Sequence, residues 1–365
     1  MLELIGELTE LTGVSGQEGQ VRMALRRHLE GLVDRVFSDP LGNLLAYRAG
    51  IRPGSAGSGP AGAGSRAGTG AGLKVLLAAH MDEVGVIARK VDERGFVRFS
   101  TLGSLTPQVL LGQRVRFTSG TIGVVSCERL EDMGQLTLRH LYVDVGAATR
   151  EEALARISIG ETASFCSILV RRDHQLVAKA LDDRVGCAIV VECLRRLASR
   201  EGLAHEICAA FTAQEEVGVR GARVAAQGWQ PDFAVVVDVT PAGDTPKGLE
   251  YEVTLGGGAA VKLMDNIPGA LGGFLAPPGV TRFVQAAADR RGIRWQPEVL
   301  ERGSTDAAAI HLVGPGVLTA VISVPIRYSH TPHEVVDMRD VEAVAALVVA
   351  VLEDLDAASW QRMLE

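Results

Sequence analysis

The segment AAFTAQEEVGVRGA, from Ala209 to Ala222, ends a short apolar run with two adjacent acids and a glycine turn. At the end of a buried strand, the side chains of Glu215 and Glu216 repel each other and lose solvation, so other groups must compensate for their charge. The apolar run is typical of a strand that is covered on both faces, as in a parallel sheet. The segment therefore predicts an α/β sheet with a charged site beside the end of one strand.

The rest of the chain alternates apolar strands with helices, which is the pattern of an α/β fold. Strands are predicted in LKVLLAAH, HEICAAFTA, FAVVVDV and LTAVISVP, and helices in DRVGCAIVVECLRRLASR, GVTRFVQAAADRRG and DVEAVAALVVAVLEDL. An earlier helix is predicted in SGQEGQVRMALRRHLEGLV, where Ser15 and Glu18 have the spacing of a capping box.

A different pattern lies between about Val91 and Ile168, where short runs rich in Val, Ile, Phe and Thr alternate with glycine turns. Such runs predict a small all-β module inserted into the larger domain. We therefore assign residues 1–90 and 169–365 to an α/β catalytic domain and residues 91–168 to the insert. Residues 49–72 are rich in Gly, Ala, Ser and Pro, and we expect them to form a long flexible surface loop.

The composition limits the partners and the compartment. The 365-residue chain has a formal net charge of −7, which argues against a nucleic-acid partner. Its first residues, MLELIGELTELTG, lack the basic start of a signal peptide, and no apolar run of about 20 residues follows, so we expect a cytoplasmic protein without a membrane partner. The five cysteines have no C-x-x-C spacing and lie mostly in apolar runs, which indicates reduced core thiols.

Side chains that bind metals follow several of the predicted strands. They are His80 with Asp82, Glu215 with Glu216, Asp238, and His330, while Asp182 stands at the beginning of a predicted helix. Because ligands of open α/β sheets bind beyond the carboxyl ends of the strands, these side chains can converge on one point.

The chemistry of this set suits divalent metals. Imidazole and carboxylate without thiolate favour Zn²⁺, Co²⁺ or Mn²⁺, and one carboxylate can bridge two ions about 3.5 Å apart. Each residue also has an ordinary interpretation: a histidine facing solvent, an N-cap for Asp182, or a solvated turn for the paired glutamates. Spacing alone leaves both interpretations open, and His333 is an alternative to His330.

Six motifs then carry a resemblance to a known family. They are AAHMDEVG, ALDDRVG, QEEVGVRGA, VVVDVT, GSTDAAAI and VPIRYSHTPHEV, in this order. The chain resembles the dinuclear metallo-aminopeptidases of the glutamyl and deblocking (TET) type, which are often labelled endoglucanases. The resemblance implies a mixed-sheet, phosphorylase-like α/β domain of the zinc-peptidase type with an inserted β-barrel or PDZ-like dimerisation domain. It also implies dimers that assemble into a tetrahedral dodecamer.

The resemblance further implies a role for each site residue. His80, Asp182 and Asp238 would hold one metal ion, and Asp182, Glu216 and His330 the other, with Zn²⁺ expected first and Co²⁺ or Mn²⁺ as alternatives. Glu215 would be the general base and Asp82 would hydrogen-bond the far nitrogen of His80. A metal-bridging hydroxide would then release N-terminal residues from peptide substrates.

Other functions remain as alternatives. An amidase or deacylase acting on N-acyl amino acids fits the same site, and a non-catalytic metal-bound assembly protein is the alternative from another class. A glycosidase is disfavoured because its two carboxylates must flank a sugar bond, whereas adjacent acids bound to metals do not. The chain departs from the family at GSLTPQVL (Gly103–Leu110) and GSTDA (Gly303–Ala307). We expect neither departure to touch a metal ligand, so both bear on specificity.

Overall fold

A computed structural model describes residues 1–50, 72–198, 204–248, 250–266 and 272–365. The flexible loop predicted over residues 49–72 falls almost entirely outside these ranges, so it stays a prediction.

The helices and strands follow the chain in alternation. The helices are α1 (Leu2–Glu10), α2 (Gly19–Leu29), α3 (Pro107–Leu110), α4 (Arg150–Leu154), α5 (Leu181–Ala198), α6 (Arg220–Trp229), α7 (Pro278–Arg291), α8 (Ala307–Ile310), α9 (Met338–Asp354) and α10 (Ala357–Met363). The strands are β1 (Arg35–Ser38), β2 (Leu44–Arg48), β3 (Lys74–His80), β4 (Gly85–Val91), β5 (Val97–Leu102), β6 (Arg114–Phe117), β7 (Ile122–Cys127), β8 (Leu141–Asp144), β9 (Thr162–Phe165), β10 (Val170–Arg172), β11 (Gln175–Ala178), β12 (Glu206–Thr212), β13 (Phe233–Pro241), β14 (Ala259–Asn266), β15 (Gly273–Leu275), β16 (Trp295–Leu300), β17 (Leu318–Arg327) and β18 (Glu334–Asp337).

One mixed sheet contains twelve of the strands in the described part of the chain. Its order is β1-β2-β12-β3-β13-β17-β18-β11-β10, and β14 pairs with β17, β15 and β16. The central strands β12, β3, β13 and β17 run parallel, and β2 and β18 flank them antiparallel. The predicted mixed-sheet α/β fold class is confirmed.

The two faces of this sheet are covered by different helices. Val75 and Leu77 of β3 belong to the core formed with α1, α2, α5, α7 and α9, whereas Leu76 and Ala78 pack with α6 and α8. Because successive side chains of a strand point to opposite faces, His80 continues the second series. The alternation of β3 therefore places its final residue on the face covered by α6 and α8.

A separate closed barrel is formed by the remaining six described strands, in the order β4-β5-β8-β7-β6-β9. It has its own apolar core. Its strands run from Gly85 to Phe165, so the first one precedes the predicted insert of residues 91–168. The division into catalytic and dimerisation domains remains a proposal.

Two details of the predicted elements are wrong. Helix α2 begins only at Gly19, and Glu18 at its N-cap makes no capping hydrogen bond, because the side chains of Ser15 and Glu18 bind other segments. Asp238 was expected at the end of its strand, but β13 continues to Pro241, so this carboxylate projects from within β13.

No helix in the described residues is long and apolar enough to cross a membrane. All five cysteines are free thiols, and Cys187, Cys193 and Cys208 are buried.

The buried ring of His205 connects the beginning of β3 to the end of α9. Its Nδ1 accepts a hydrogen bond from the Leu73 amide at 3.1 Å, and its Nε2 donates to the Leu355 carbonyl at 2.7 Å. Only the neutral ring can make both bonds, and burial lowers the pKa of His205.

We therefore predict that this contact makes the fold sensitive to acid. The neutral ring of His205 makes its full contribution to the free energy of unfolding above the ordinary histidine pKa of about 6.5. This contribution is lost as pH falls through the lower pKa of His205 in the folded state. His205→Gln should reduce stability at pH 8 by about 1–2 kcal/mol. It should also flatten the dependence of the melting temperature on pH below 7. His174→Gln, at an exposed histidine, is the control, and an unchanged pH dependence in His205→Gln would contradict the assignment.

Candidate metal centre

The register of the parallel strands brings His80 and Asp238 together. Ala78 of β3 pairs with Val236 of β13, so the residues two positions later are neighbours on the same face. Nε2 of His80 lies 3.9 Å from Oδ1 of Asp238, and both residues are buried. Two strands thus supply an imidazole and a carboxylate at one point.

Asp182 lies between two histidines. It stands at the beginning of α5, where Asp182 and Asp183 have non-helical backbone angles and are joined by a cis peptide bond. Its Oδ1 is 3.0 Å from Nε2 of His80, and its Oδ2 is 3.4 Å from Nε2 of His330. Nε2 of His330 also lies 3.2 Å from Oε2 of Glu216. The two oxygens of Asp182 therefore face two separate groups of potential ligands.

The protonation of both rings is fixed by main-chain carbonyls. Nδ1 of His80 is 3.1 Å from the Asp82 carbonyl oxygen, and Nδ1 of His330 is 3.2 Å from that of Ser104. A carbonyl only accepts, so each Nδ1 carries a hydrogen and each Nε2 is the atom that can bind a metal.

These contacts also revise two expectations. The carboxylate of Asp82 lies 3.6 Å from Nδ1 of His80, so the carbonyl of the same residue is the nearer partner. The GSLTPQVL motif was expected to touch no predicted ligand, but its Ser104 carbonyl contacts His330, so that expectation is wrong.

Asp183 is a member of the cluster that the sequence did not single out. His80, Asp183 and Asp238 form one group that could hold a metal, and His80, Asp182 and Glu216 form another. The oxygens of Asp183 already accept main-chain hydrogens, from His80 at 3.2 Å and Gly186 at 3.0 Å. The adjacent acids in LDDR were therefore ambiguous, and only the contacts show that Asp182 is the one that faces both imidazoles.

Glu334 is the second residue that the sequence analysis missed. This buried carboxylate accepts a hydrogen bond from the amide of Asp182 at 3.1 Å and from that of His330 at 2.8 Å. His330 has a left-handed backbone, with φ of 61°, so its conformation depends on such contacts. His333, the alternative ligand three residues later, is exposed.

The electrostatics of the cluster indicate an excess of negative charge. Burial raises the pKa of Asp238 and of Glu215, and the neighbouring carboxylates raise these values further. Burial lowers the pKa of His80, but the carboxylates of Asp182, Asp82, Glu215 and Asp238 outweigh it and raise that pKa well above the ordinary value. Asp182 differs from Asp238 and Glu215, because burial raises its pKa while hydrogen bonds from both imidazoles hold that pKa well below its usual range.

The donor set fits two divalent cations. Imidazole nitrogen and carboxylate oxygen are ligands of zinc, cobalt and manganese. Oε1 of Glu216 is buried and has no hydrogen-bond partner among the described residues, which is costly for a carboxylate oxygen unless a cation binds it. The structure brings all seven predicted residues into or beside this cluster. They are His80, Asp82, Asp182, Glu215, Glu216, Asp238 and His330.

Comparison with known proteins gives a consistent result. The family described as M42 glutamyl aminopeptidase matches residues 63–347. A protein of Acetivibrio thermocellus is 39% identical over 350 residues, which cover 96% of this chain and 97% of that protein. A lysyl aminopeptidase of Pyrococcus furiosus is 31% identical, with 97% of each chain covered.

Solved structures agree over the whole fold. An aminopeptidase from Desulfurococcus kamchatkensis has a TM-score of 0.88 and 33% identity, and the match covers 100% of this chain and 97% of that one. The TET1 peptidase of Pyrococcus horikoshii, described as assembling into a tetrahedron or a large octahedral shell, has a TM-score of 0.82 and 27% identity, with coverage of 97% and 99%. A structure from Thermotoga maritima that bears the label endoglucanase has a TM-score of 0.73 and 29% identity, with coverage of 96% and 98%.

We predict that Glu334 maintains the geometry of the cluster. In Glu334→Ala the amides of Asp182 and His330 lose their acceptor, so both side chains drift, and the affinity for Zn²⁺ should fall by about 10–100-fold. Competition with a chelating dye measures this affinity. Glu151→Ala, at an exposed glutamate of α4, is the matched control, and equal zinc affinity in the two variants would contradict the prediction.

Proposed function

Because this chain belongs to the M42 glutamyl aminopeptidase family, we propose that it is a metal-dependent aminopeptidase that removes N-terminal residues from peptides. The observation that carries the proposal is the position of Asp182, whose two oxygens face the Nε2 atoms of His80 and His330 at 3.0 and 3.4 Å. A carboxylate so placed suits the bridge of a two-metal hydrolase.

The proposed ligand sets share this carboxylate. His80, Asp182 and Asp238 would hold one ion, and Asp182, Glu216 and His330 would hold the other. With three protein ligands each, the ions would have the ligand number of catalytic rather than structural zinc sites. The donors suit Zn²⁺ first, with Co²⁺ or Mn²⁺ as alternatives.

Glu215 is proposed as the general base. Its carboxylate takes a proton from the attacking water and returns it to the nitrogen of the leaving amine. Burial and the neighbouring carboxylates raise the pKa of Glu215, which is the direction that favours a proton acceptor. When bound, the divalent ions supply the positive charge that acidifies the water and polarises the scissile carbonyl.

Asp82 is proposed to position the cluster in two ways. Its main-chain carbonyl holds the Nδ1 hydrogen of His80, and its carboxylate accepts the amides of Glu215 and Glu216 at 2.9 and 3.1 Å. One residue thus orients a proposed ligand and the loop that carries the proposed base.

The preferred N-terminal residue is not inherited from the relatives, since one is named for lysyl substrates and another for glutamyl substrates.

We propose a homo-oligomer in which the barrel forms the dimer contact and dimers assemble into a tetrahedral dodecamer. Two structural neighbours support a large assembly, since one is described as a dodecamer and the other as a tetrahedron or an octahedral shell. The outer side of β7 supports the contact, because Ile122 and Val124 are about half exposed there, at 50% and 45%. Apolar side chains grouped in this way favour an interface.

We also propose that the protein is cytoplasmic.

The two adjacent glutamates give the sharpest test of the mechanism. Glu215→Gln should lower kcat by about 10²–10⁴-fold while both ions stay bound, because only the proton acceptor is lost. Glu216→Gln should instead lose one ion, because the amide is a poor ligand. Elemental analysis and hydrolysis of aminoacyl anilides measure the two effects.

Two further comparisons complete this test. Glu93→Gln, at an exposed glutamate before β5, is the control that should keep both activity and metal. Full activity in Glu215→Gln would contradict the assigned base. Turnover of N-acyl amino acids without turnover of aminoacyl anilides would identify an amidase instead.

The proposed assembly predicts a native mass of twelve chains. Ile122→Asp combined with Val124→Asp should reduce it, because charges replace apolar side chains in the proposed dimer contact. Light scattering after size-exclusion chromatography measures the mass, and a monomeric wild-type protein would contradict the assembly.

A further inference from the structure

Four consecutive main-chain amides lead from the end of β12 to Glu216, and each donates to a side chain from a distant segment. Ala213 donates to Oδ1 of Asn43 at 2.8 Å, Gln214 to Oε1 of Glu18 at 3.2 Å, Glu215 to Oδ1 of Asp82 at 2.9 Å, and Glu216 to Oδ2 of Asp82 at 3.1 Å. We call residues 213–216 the base loop. Three side chains thus determine the path of the loop that carries Glu215.

These three acceptors are themselves buried and held in place. Oε1 of Glu18 also accepts the amide of Gly16 at 2.6 Å, and Oδ2 of Asp82 accepts the hydroxyl of Ser15 at 2.6 Å. The side-chain Nδ2 of Asn43 donates to the main-chain carbonyl of Gly221, beyond the base loop, at 2.9 Å. The segment Ser15–Glu18 therefore contacts the base loop both directly and through Asp82.

The segment before Ser15 is anchored by a buried ionic network. Gly13 and Glu83 exchange two hydrogen bonds, from the Glu83 amide to the Gly13 carbonyl and from the Gly13 amide to Oε1 of Glu83, both at 3.0 Å. Glu83 also accepts from Lys179 at 2.8 Å, and Arg184 donates to the Gly13 carbonyl at 3.2 Å. Such a network gives Ser15 and Glu18 fixed positions from which to hold another segment.

The base loop needs external support because its backbone is strained. Gln214 in the loop has a left-handed backbone, with φ of 59°, and so does Val219 three residues beyond it, with φ of 49°. Residues other than glycine rarely adopt this conformation unless their surroundings impose it. The direction of the Glu215 side chain follows from this backbone. Without the acceptors, the loop would relax toward ordinary backbone angles and turn the carboxylate away from His80 and Asp238.

We propose that Glu18 and Ser15 are positioning residues for the hydrolytic reaction: they hold the base loop so that the Glu215 carboxylate faces the metal cluster. The inference rests on the proposed function, in which Glu215 is the general base. Glu18 accepts a hydrogen bond directly from the main chain of the base loop, and Ser15 acts on the loop through the carboxylate of Asp82.

The test separates positioning from folding and from metal binding. Glu18→Ala should lower kcat by about 10–100-fold, since a displacement of about 1 Å has this effect on an aligned catalytic group. KM and the content of two Zn²⁺ per chain should stay close to wild type. Glu18→Gln keeps an acceptor oxygen at the same place and should restore most of the rate.

A second variant keeps the test decisive if Glu18→Ala does not fold. Ser15→Ala removes one oxygen atom, and the loss of its hydrogen bond to Asp82 should lower kcat by about 3–10-fold. Ser15→Thr keeps the hydroxyl and should have a kcat close to that of the wild type. Steady-state rates on an aminoacyl anilide, measured well below the melting temperature of each variant, give these values.

Val21→Ala is the matched control, because Val21 is buried in α2 beside the same segment and makes no contact with the base loop by hydrogen bonding. It should lower the melting temperature but keep kcat. The proposal is overturned if Ser15→Ala and Glu18→Ala keep kcat within about twofold of wild type, or if Val21→Ala loses as much kcat as they do. A zinc-loaded wild type that hydrolyses no aminoacyl anilide would refute the proposed function itself, which is a separate result.

Discussion

Five carboxyl groups share the carboxyl edge of the central strands, and none of them forms an ion pair with lysine or arginine in the described part of the chain. They belong to Asp182, Asp183, Glu215, Glu216 and Asp238. Buried charges of one sign must be protonated, separated or balanced by cations. This repulsion is distributed unevenly: the pKa values of Asp238 and Glu215 are raised, whereas that of Asp182 is lowered. Two divalent cations would relieve it in the way that the arrangement of His80, Asp182 and His330 suggests.

The rest of the fold serves to bring these groups together and to hold them there. Parallel pairing of β3 and β13 sets His80 beside Asp238, and alternation along each strand directs both toward the face covered by α6 and α8. The loops beyond the strands cannot rely on sheet hydrogen bonds. Their main-chain amides instead donate hydrogen bonds to buried carboxylates. Glu334 accepts from Asp182 and His330, and Asp82 accepts from Glu215 and Glu216.

The sequence was sufficient where a local pattern determines the structure. Apolar runs such as LKVLLAAH predicted the buried strands, and His80, which ends that run, lies beside Asp182 and Asp238. It was insufficient where a side chain binds a distant main-chain amide, because such a contact leaves no periodic signal. Glu334 and Asp183 were missed for this reason. Glu18 and Ser15 were assigned to a helix cap because their spacing fits one, although their side chains bind the base loop and Asp82 instead.

The most direct test of the central claim is the location of the metals in a zinc-loaded crystal. Anomalous scattering measured at the zinc absorption edge should give two peaks per chain, one among His80, Asp182 and Asp238 and the other among Asp182, Glu216 and His330. A single peak, or peaks that do not flank the carboxylate of Asp182, would contradict the account.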